Sequence, residues 1–243
     1  MSVDWSRYSA VLFDLDGVIT PTAEVHMRAW ARMFSDFLAS RGAEDYTDAD
    51  YFAHVDGKPR YDGVRDLLAS RGIELPEGTP DDPPDQAEGE ETVCGLGNRK
   101  NDLFGAVLRE EGVEAYPGSR RLVDRLREDG LKLAIVSSSK NAPDVLETAG
   151  VTDLFEIVVH GGVAAERGLK GKPAPDTYQA AADELGVPYE RAVVFEDAVS
   201  GVAAGHAGHF GLVVGVDRGA GHQALTDAGA DLVVDDLGEL VEP

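Results

Sequence analysis

The chain has a single cysteine, Cys94, among 243 residues, so no disulfide can form within it. That suits a reducing compartment. Cys94 itself reads as a small packed hydrophobe, because no activating partner stands near it in the sequence. Cations are scarce: 22 lysines and arginines face 45 acids, for a net charge of −23. Such a surface repels nucleic acid and anionic membranes, so neither is an expected partner. No apolar run approaches the ~20 residues of a membrane span. Met1 to Arg7 lack the basic and apolar regions of a secretory signal. The expected location is therefore the cytoplasm. What the chain does have is apolar material, 43%, enough for a sizeable core.

The stretch Ala10 to Thr20 organises the rest. Ala10 to Phe13 is apolar at every position, as in a parallel-sheet strand buried on both faces. Asp14 and Asp16 follow, two residues apart, and then Gly17. If the chain stays extended, both carboxylates point the same way at the strand's carboxyl end, where parallel sheets place ligands. Two readings stay open on these residues alone. They form a solvated turn, or a site in which a cation or shared proton offsets the repulsion.

Residues 22–38 carry Val25, Trp30, Met33, Phe34 and Phe37 at helical spacing, with Thr22 as a candidate cap. Asp56 to Arg60 reads as a turn holding two cations, and Tyr61 to Arg71 as a helix. Residues 72–97 hold eight acids, four prolines and no lysine or arginine. They read as a long, mobile, solvated loop, with a helix resuming near Asn98. Strand and helix text then alternates from residue 119 to residue 234, which predicts a doubly wound parallel sheet. The predicted division is an α/β core of residues 1–20 and 111–243 and a helical insert of residues 21–110.

Three more strand ends and loops carry chemistry. Val136 is followed by Ser137-Ser138-Ser139-Lys140-Asn141, either a helix cap or an anion site built on hydroxyls and free amides. Pro173 and Pro175 restrict the loop holding Lys172, otherwise an ordinary surface lysine. Phe195 is followed by Glu196-Asp197. Four acids without His or Cys ligands suit Mg²⁺, and with a lysine and a hydroxyl-rich helix start they describe phosphoryl transfer. His206, His209 and His222 show no metal-like grouping in the sequence.

Asp14-Leu-Asp-Gly-Val, Ser137, Lys172 and Glu196-Asp197 resemble the four motifs of the haloacid dehalogenase superfamily. Thr22-Ala-Glu, His26, Arg28-Ala-Trp, Arg99-Lys-Asn-Asp and Lys172-Pro-Ala-Pro-Asp look like its β-phosphoglucomutase-like family. The resemblance implies a Rossmann-like core with an inserted α-helical cap. It implies a Mg²⁺-dependent mutase joining β-glucose 1-phosphate and glucose 6-phosphate, with glucose 1,6-bisphosphate as intermediate and primer. The alternative is a sugar-phosphate phosphatase with the same nucleophile.

By the same resemblance, Asp14 is the nucleophile and Asp16 the general acid and base. Ser137 and Lys172 hold the transferring phosphoryl group, and Ser138, Lys140 and Asn141 line its pocket. Asp14, Asp16 (through its carbonyl), Glu196 and Asp197 hold Mg²⁺. In the cap, Arg60, within Gly57-Lys58-Pro59-Arg60, binds the second phosphate, Lys58 adds charge and Lys100 contacts substrate. His26 couples cap closure to Asp16, and Thr22 acts at the hinge. The partner is a small sugar phosphate and the chain a monomer. Pro21, where relatives carry an acid, and the 72–97 loop depart from the pattern.

Overall fold

The structure, a computed structural model, describes residues 3–241. Residues 1–2 and 242–243, the outermost positions of the expected core and the first of the region read for a secretory signal, lie outside the described residues. In chain order come β1 (Ala10–Phe13), α1 (Thr22–Arg41), α2 (Asp48–Asp50), α3 (Arg60–Ser70), α4 (Val93–Glu111) and α5 (Pro117–Glu128). They are followed by β2 (Lys132–Val136), α6 (Ala142–Thr148), β3 (Ile157–Val159), α7 (Gly161–Arg167) and α8 (Asp176–Leu185). Last come β4 (Ala192–Glu196), α9 (Val199–Ala207), β5 (Leu212–Val216), α10 (His222–Asp227) and β6 (Leu232–Val234). The chain divides into two compact units, residues 1–22 with 113–243, and residues 23–112.

The first unit is built on a six-stranded sheet in the order β3-β2-β1-β4-β5-β6, parallel in every pairing. The doubly wound α/β expectation holds. All four residues of β1 are fully buried, as its unbroken apolar run requires. Ala10 and Leu12 join a cluster with Tyr178, Ala181 and Leu185 of α8 and with Val202 of α9. Phe13, on the opposite face, stacks on Phe195 at 5.1 Å. Each large side chain so buried contributes about 1.5–3 kcal/mol.

Register does the positioning. Phe13 pairs with Ile135 on β2 and with Phe195 on β4. Asp14 therefore falls level with Val136 and Glu196, and its N–H donates to the Phe195 carbonyl at 2.9 Å. Because every strand is parallel, all carboxyl ends share one edge.

The second unit packs Trp30, Phe34 and Phe37 of α1 against Val64 and Leu67 of α3 and Leu96 of α4. A π-helical turn, Tyr51–Val55, precedes α3. Cys94 is buried, as expected of a packed thiol.

Two expectations need correction here. Helix α4 begins at Val93, not near Asn98, with Thr92 Oγ1 accepting from Gly95 N at 3.0 Å as its cap. The acidic loop is solvated but tied down. Glu77 pairs with Arg65 through two oxygens, Glu91 with Arg41 at 2.9 Å, and the Arg99 guanidinium donates to the Pro84 carbonyl at 2.8 Å. The bonds come from cations and amides outside the loop, which is why its own composition did not announce them. Among the described residues, no helix is long and apolar enough to cross a membrane.

Candidate active site

At the carboxyl edge of β1, Asp14 is almost wholly buried. The Lys172 ammonium donates to Asp14 Oδ1 at 2.5 Å, to the Val136 carbonyl at 3.0 Å, and to Glu196 Oε1. Lys172 reaches this spot from the loop before α8, where the Lys172–Pro173 peptide is cis. The Tyr178 hydroxyl donates to Glu196 Oε1 at 2.9 Å, and Ala198 N to Glu196 Oε2 at 3.1 Å. Glu196 is fully buried, so these donors replace water around its charge.

The electrostatics record too few cations. Burial pushes the Asp14 carboxyl well above the ordinary range; Lys172 opposes this, while Glu196 and Asp16 reinforce it. Burial works against the Lys172 ammonium, but Asp14 and Glu196 outweigh it and hold its pKa above the usual lysine value. One lysine faces several carboxylates.

Asp16 lies just beyond. It bridges to Thr20 through the backbone, and its side chain accepts from Thr22 Oγ1 and from Ser137 Oγ at 3.4 Å. Thr22 is itself linked to Thr20 at 2.8 Å. Gly17, directly after Asp16, has φ +86°, and a Cβ there would overlap the Asp197 carboxylate. Both facts require glycine. The Arg218 guanidinium pins the turn by donating to the Gly17 carbonyl at 2.8 Å, while it stacks over Tyr116 at 4.1 Å.

Asp14, Glu196 and Asp197 each offer a carboxylate oxygen, and these atoms lie within 4.8 Å of one another. Three buried, hard oxygen donors with one lysine between them fit a divalent cation such as Mg²⁺. The Asp16 side chain is not in that group; it faces the two hydroxyls instead.

Beyond β2, Ser137 Oγ accepts from Ser139 N at 3.1 Å and Ser139 Oγ from Asn141 N at 3.1 Å. Ser138 and Lys140 lie in that turn, and Asn141 precedes α6.

In the second unit, the Arg60 guanidinium donates to Asn98 Oδ1 at 3.3 Å and to Asn101 Oδ1 at 2.7 Å. Lys58 pairs with Asp66 at 2.5 Å, and Gly57 before it turns the chain at φ +67°. Lys100 is buried against His26 Nδ1, with Trp30 at 5.1 Å and Phe104 at 5.0 Å beneath its ammonium. His26 stacks on Phe104 at 4.0 Å.

Tyr178, Arg218 and Asn98 carry no motif, so sequence reading missed them. Only the apolar α8 pattern containing a tyrosine hinted at a buried hydroxyl in need of a partner. A further correction concerns His222. It meets Asp217 and Asp235 at the ends of β5 and β6, in a second group of potential ligands. That group is largely exposed, and His222 is hydrogen-bonded to Asp235 at 2.8 Å.

A family model described as haloacid dehalogenase-like hydrolase matches residues 8–209. The chain belongs to that family. It is 50% identical, across 97% of its length and 92% of the relative's, to a β-phosphoglucomutase of Mycobacterium tuberculosis. A β-phosphoglucomutase of Bacillus subtilis is 33% identical over 95% of this chain and 91% of its own. Among solved structures, β-phosphoglucomutase from Clostridium difficile superposes with a TM-score of 0.75 at 25% identity, covering 96% of this chain and 93% of that one.

Proposed function

We propose that this chain is a β-phosphoglucomutase, a cytoplasmic monomer that works through an aspartyl phosphate on Asp14. The observation that carries the reading is the buried Asp14 carboxylate held against Lys172 beside a hydroxyl-held Asp16. In the first half-reaction the sugar 6-hydroxyl attacks the phosphorus on Asp14. Its proton passes to the Asp16 carboxylate, and the Asp14 oxygen leaves. The bisphosphate then turns end for end. An Asp14 oxygen attacks the phosphorus at C1, and the departing sugar oxygen takes the proton back from Asp16.

Thr22 and Ser137 keep the Asp16 carboxylate aimed through both transfers. Lys172 and Ser137 stabilise charge on the transferring oxygens, with Ser138, Lys140 and Asn141 lining their pocket. Asp14, Glu196, Asp197 and the Asp16 carbonyl would hold Mg²⁺, which when bound neutralises charge on the phosphoryl group. A Cβ at Gly201 on α9 would overlap the Glu196 carboxylate. Gly201→Ala should therefore displace that carboxylate and weaken Mg²⁺ binding about 10-fold in calorimetric titration. Unchanged affinity would show that Glu196 is not a ligand held from this side.

A mutase must hold two phosphates, and we assign the second to Arg60, with Lys58 adding charge and Lys100 contacting the sugar. His26, bonded to Lys100, would tie cap movement to Asp16. The test is a coupled assay with β-glucose 1-phosphate, Mg²⁺ and a trace of glucose 1,6-bisphosphate. Glucose 6-phosphate should form in large excess over inorganic phosphate. The second reading, a phosphatase, is favoured by the hydrolase description of the family model. Phosphate released without the isomer would establish it. Arg60→Ala should reduce mutase turnover about 100-fold while sparing hydrolysis of a simple phosphate ester. Equal losses in the two assays would leave Arg60 only a structural part.

A further inference from the structure

The 72–97 loop is tied to the residues that surround Arg60. Asn98, on the first turns of α4, donates through Nδ2 to two loop carbonyls, Pro80 at 3.0 Å and Asp82 at 2.9 Å. With its amide nitrogen committed in this way, the side chain presents Oδ1 in one direction. Oδ1 accepts from Arg60 Nη1 at 3.3 Å and from the Tyr61 hydroxyl at 3.0 Å. The loop is anchored in turn around the start of α4. Thr92 donates to Asp82 at 2.6 Å, and Gln86 Oε1 accepts from Thr92 N at 2.9 Å.

Two glycines make room for this arrangement. A Cβ at Gly95 would overlap the Gln86 amide, and one at Gly97 would stand 2.7 Å from the Tyr61 ring and 3.1 Å from Arg60 Cδ. The loop therefore lies on one side of the α4 start and Arg60 with Tyr61 on the other, with the Asn98 amide joining them.

The chemistry of the partners separates Arg60 from Lys58. Lys58 is ion-paired with the Asp66 carboxylate, which offsets part of the charge it adds. Arg60 is held by neutral amide oxygens of Asn98 and Asn101, which orient the guanidinium without cancelling its charge. Each amide oxygen takes one of the five N–H groups of the guanidinium, so a phosphate can meet the others while both amides keep their hold. A guanidinium already held in place loses less freedom on binding.

We propose that Asn98 is a positioning residue, and that loop residues 80–86 act through it to hold Arg60 ready for the non-transferring phosphate of the substrate. This rests on the assignment of that phosphate to Arg60 made above.

The test uses full-length Asp14→Asn protein, which cannot turn over, titrated calorimetrically with glucose 1,6-bisphosphate in Mg²⁺. To that background are added Arg60→Ala, Asn98→Ala, Asn98→Asp, and Arg60→Ala with Asn98→Ala. Arg60→Ala should weaken binding about 100-fold. Asn98→Ala should weaken it about three- to tenfold, the consequence of releasing one long side chain. In the Arg60→Ala background, Asn98→Ala should change affinity no further, because both act through the same guanidinium. Asn98→Asp keeps the side chain's size if the alanine variant does not fold. It cannot donate to the loop carbonyls and sets a carboxylate on Arg60, so its loss should be at least as large.

Asn98 variants that bind like their parent, while Arg60→Ala does not, would overturn the role of the loop alone. Additive losses in the double variant would do the same, marking Asn98 as merely structural. Arg60→Ala binding like its parent would remove the second-phosphate assignment, and this inference with it.

Discussion

Asp14→Asn in the otherwise native chain is expected to fold and to transfer no phosphoryl group. The amide has the shape of the carboxylate but no nucleophilic oxygen, and the mechanism has no other group at the end of β1 to accept phosphorus. Turnover to glucose 6-phosphate should fall by about 10⁴-fold or more. Protein incubated with labelled bisphosphate and quenched in acid should carry no label. Stability should hold or rise, because burial disfavours the Asp14 charge that the substitution removes, Glu196 and Asp16 repel it, and Lys172 keeps Glu196 as its partner. Circular dichroism and a thermal midpoint check the fold in the same preparation. A variant that keeps more than about 1% of turnover would remove Asp14 from the nucleophile's role.

Lys172→Met should produce the second large effect, and this one falls on folding as well as on activity. The Lys172 side chain is almost completely buried and bonded to both Asp14 and Glu196. Methionine fills similar space but leaves those carboxylates facing each other. Removing one partner of a buried ion pair costs about 3–5 kcal/mol. For a unit of this size, that is a fall of roughly 10 °C in thermal midpoint. Glu196→Gln added to Lys172→Met should recover part of the loss, because it removes one uncompensated charge. Added Mg²⁺ should stabilise the single variant for the same electrostatic reason. A midpoint within about 2 °C of the native protein would mean that the carboxylates take up protons and Lys172 carries little of the folding energy.

The core is largely legible in the sequence. Ala10–Phe13, Ile157–Val159, Leu212–Val216 and Leu232–Val234 are strands where the apolar runs stood, because helices cover the faces of a parallel sheet and leave little room for polar residues, even at the partly buried edge strands β3 and β6. The insert was less legible. Val93-Cys-Gly-Leu-Gly hid the first turn of α4 because two glycines are poor helix formers. The structure shows what they accommodate: Gln86 beside one and Tyr61 with Arg60 beside the other. The π-helical turn Tyr51–Val55 and the short helix α7 had no strong periodicity to betray them.

The sequence by itself determined which residues could do chemistry and which strand ends would carry them. Asp14, Asp16, Ser137, Glu196 and Asp197 stand at or just past the ends of apolar strands and Lys172 sits in a proline-restricted loop, both short-range features, and the four motifs together carried the family resemblance. Tertiary structure alone decided how their charges are held. That depends on contacts between residues far apart in the chain, such as Tyr178 on Glu196, Arg218 on the Gly17 carbonyl, and Asn98 between a loop and Arg60. Each of these is a directional hydrogen bond closed by packing, and neither composition nor periodicity encodes its direction.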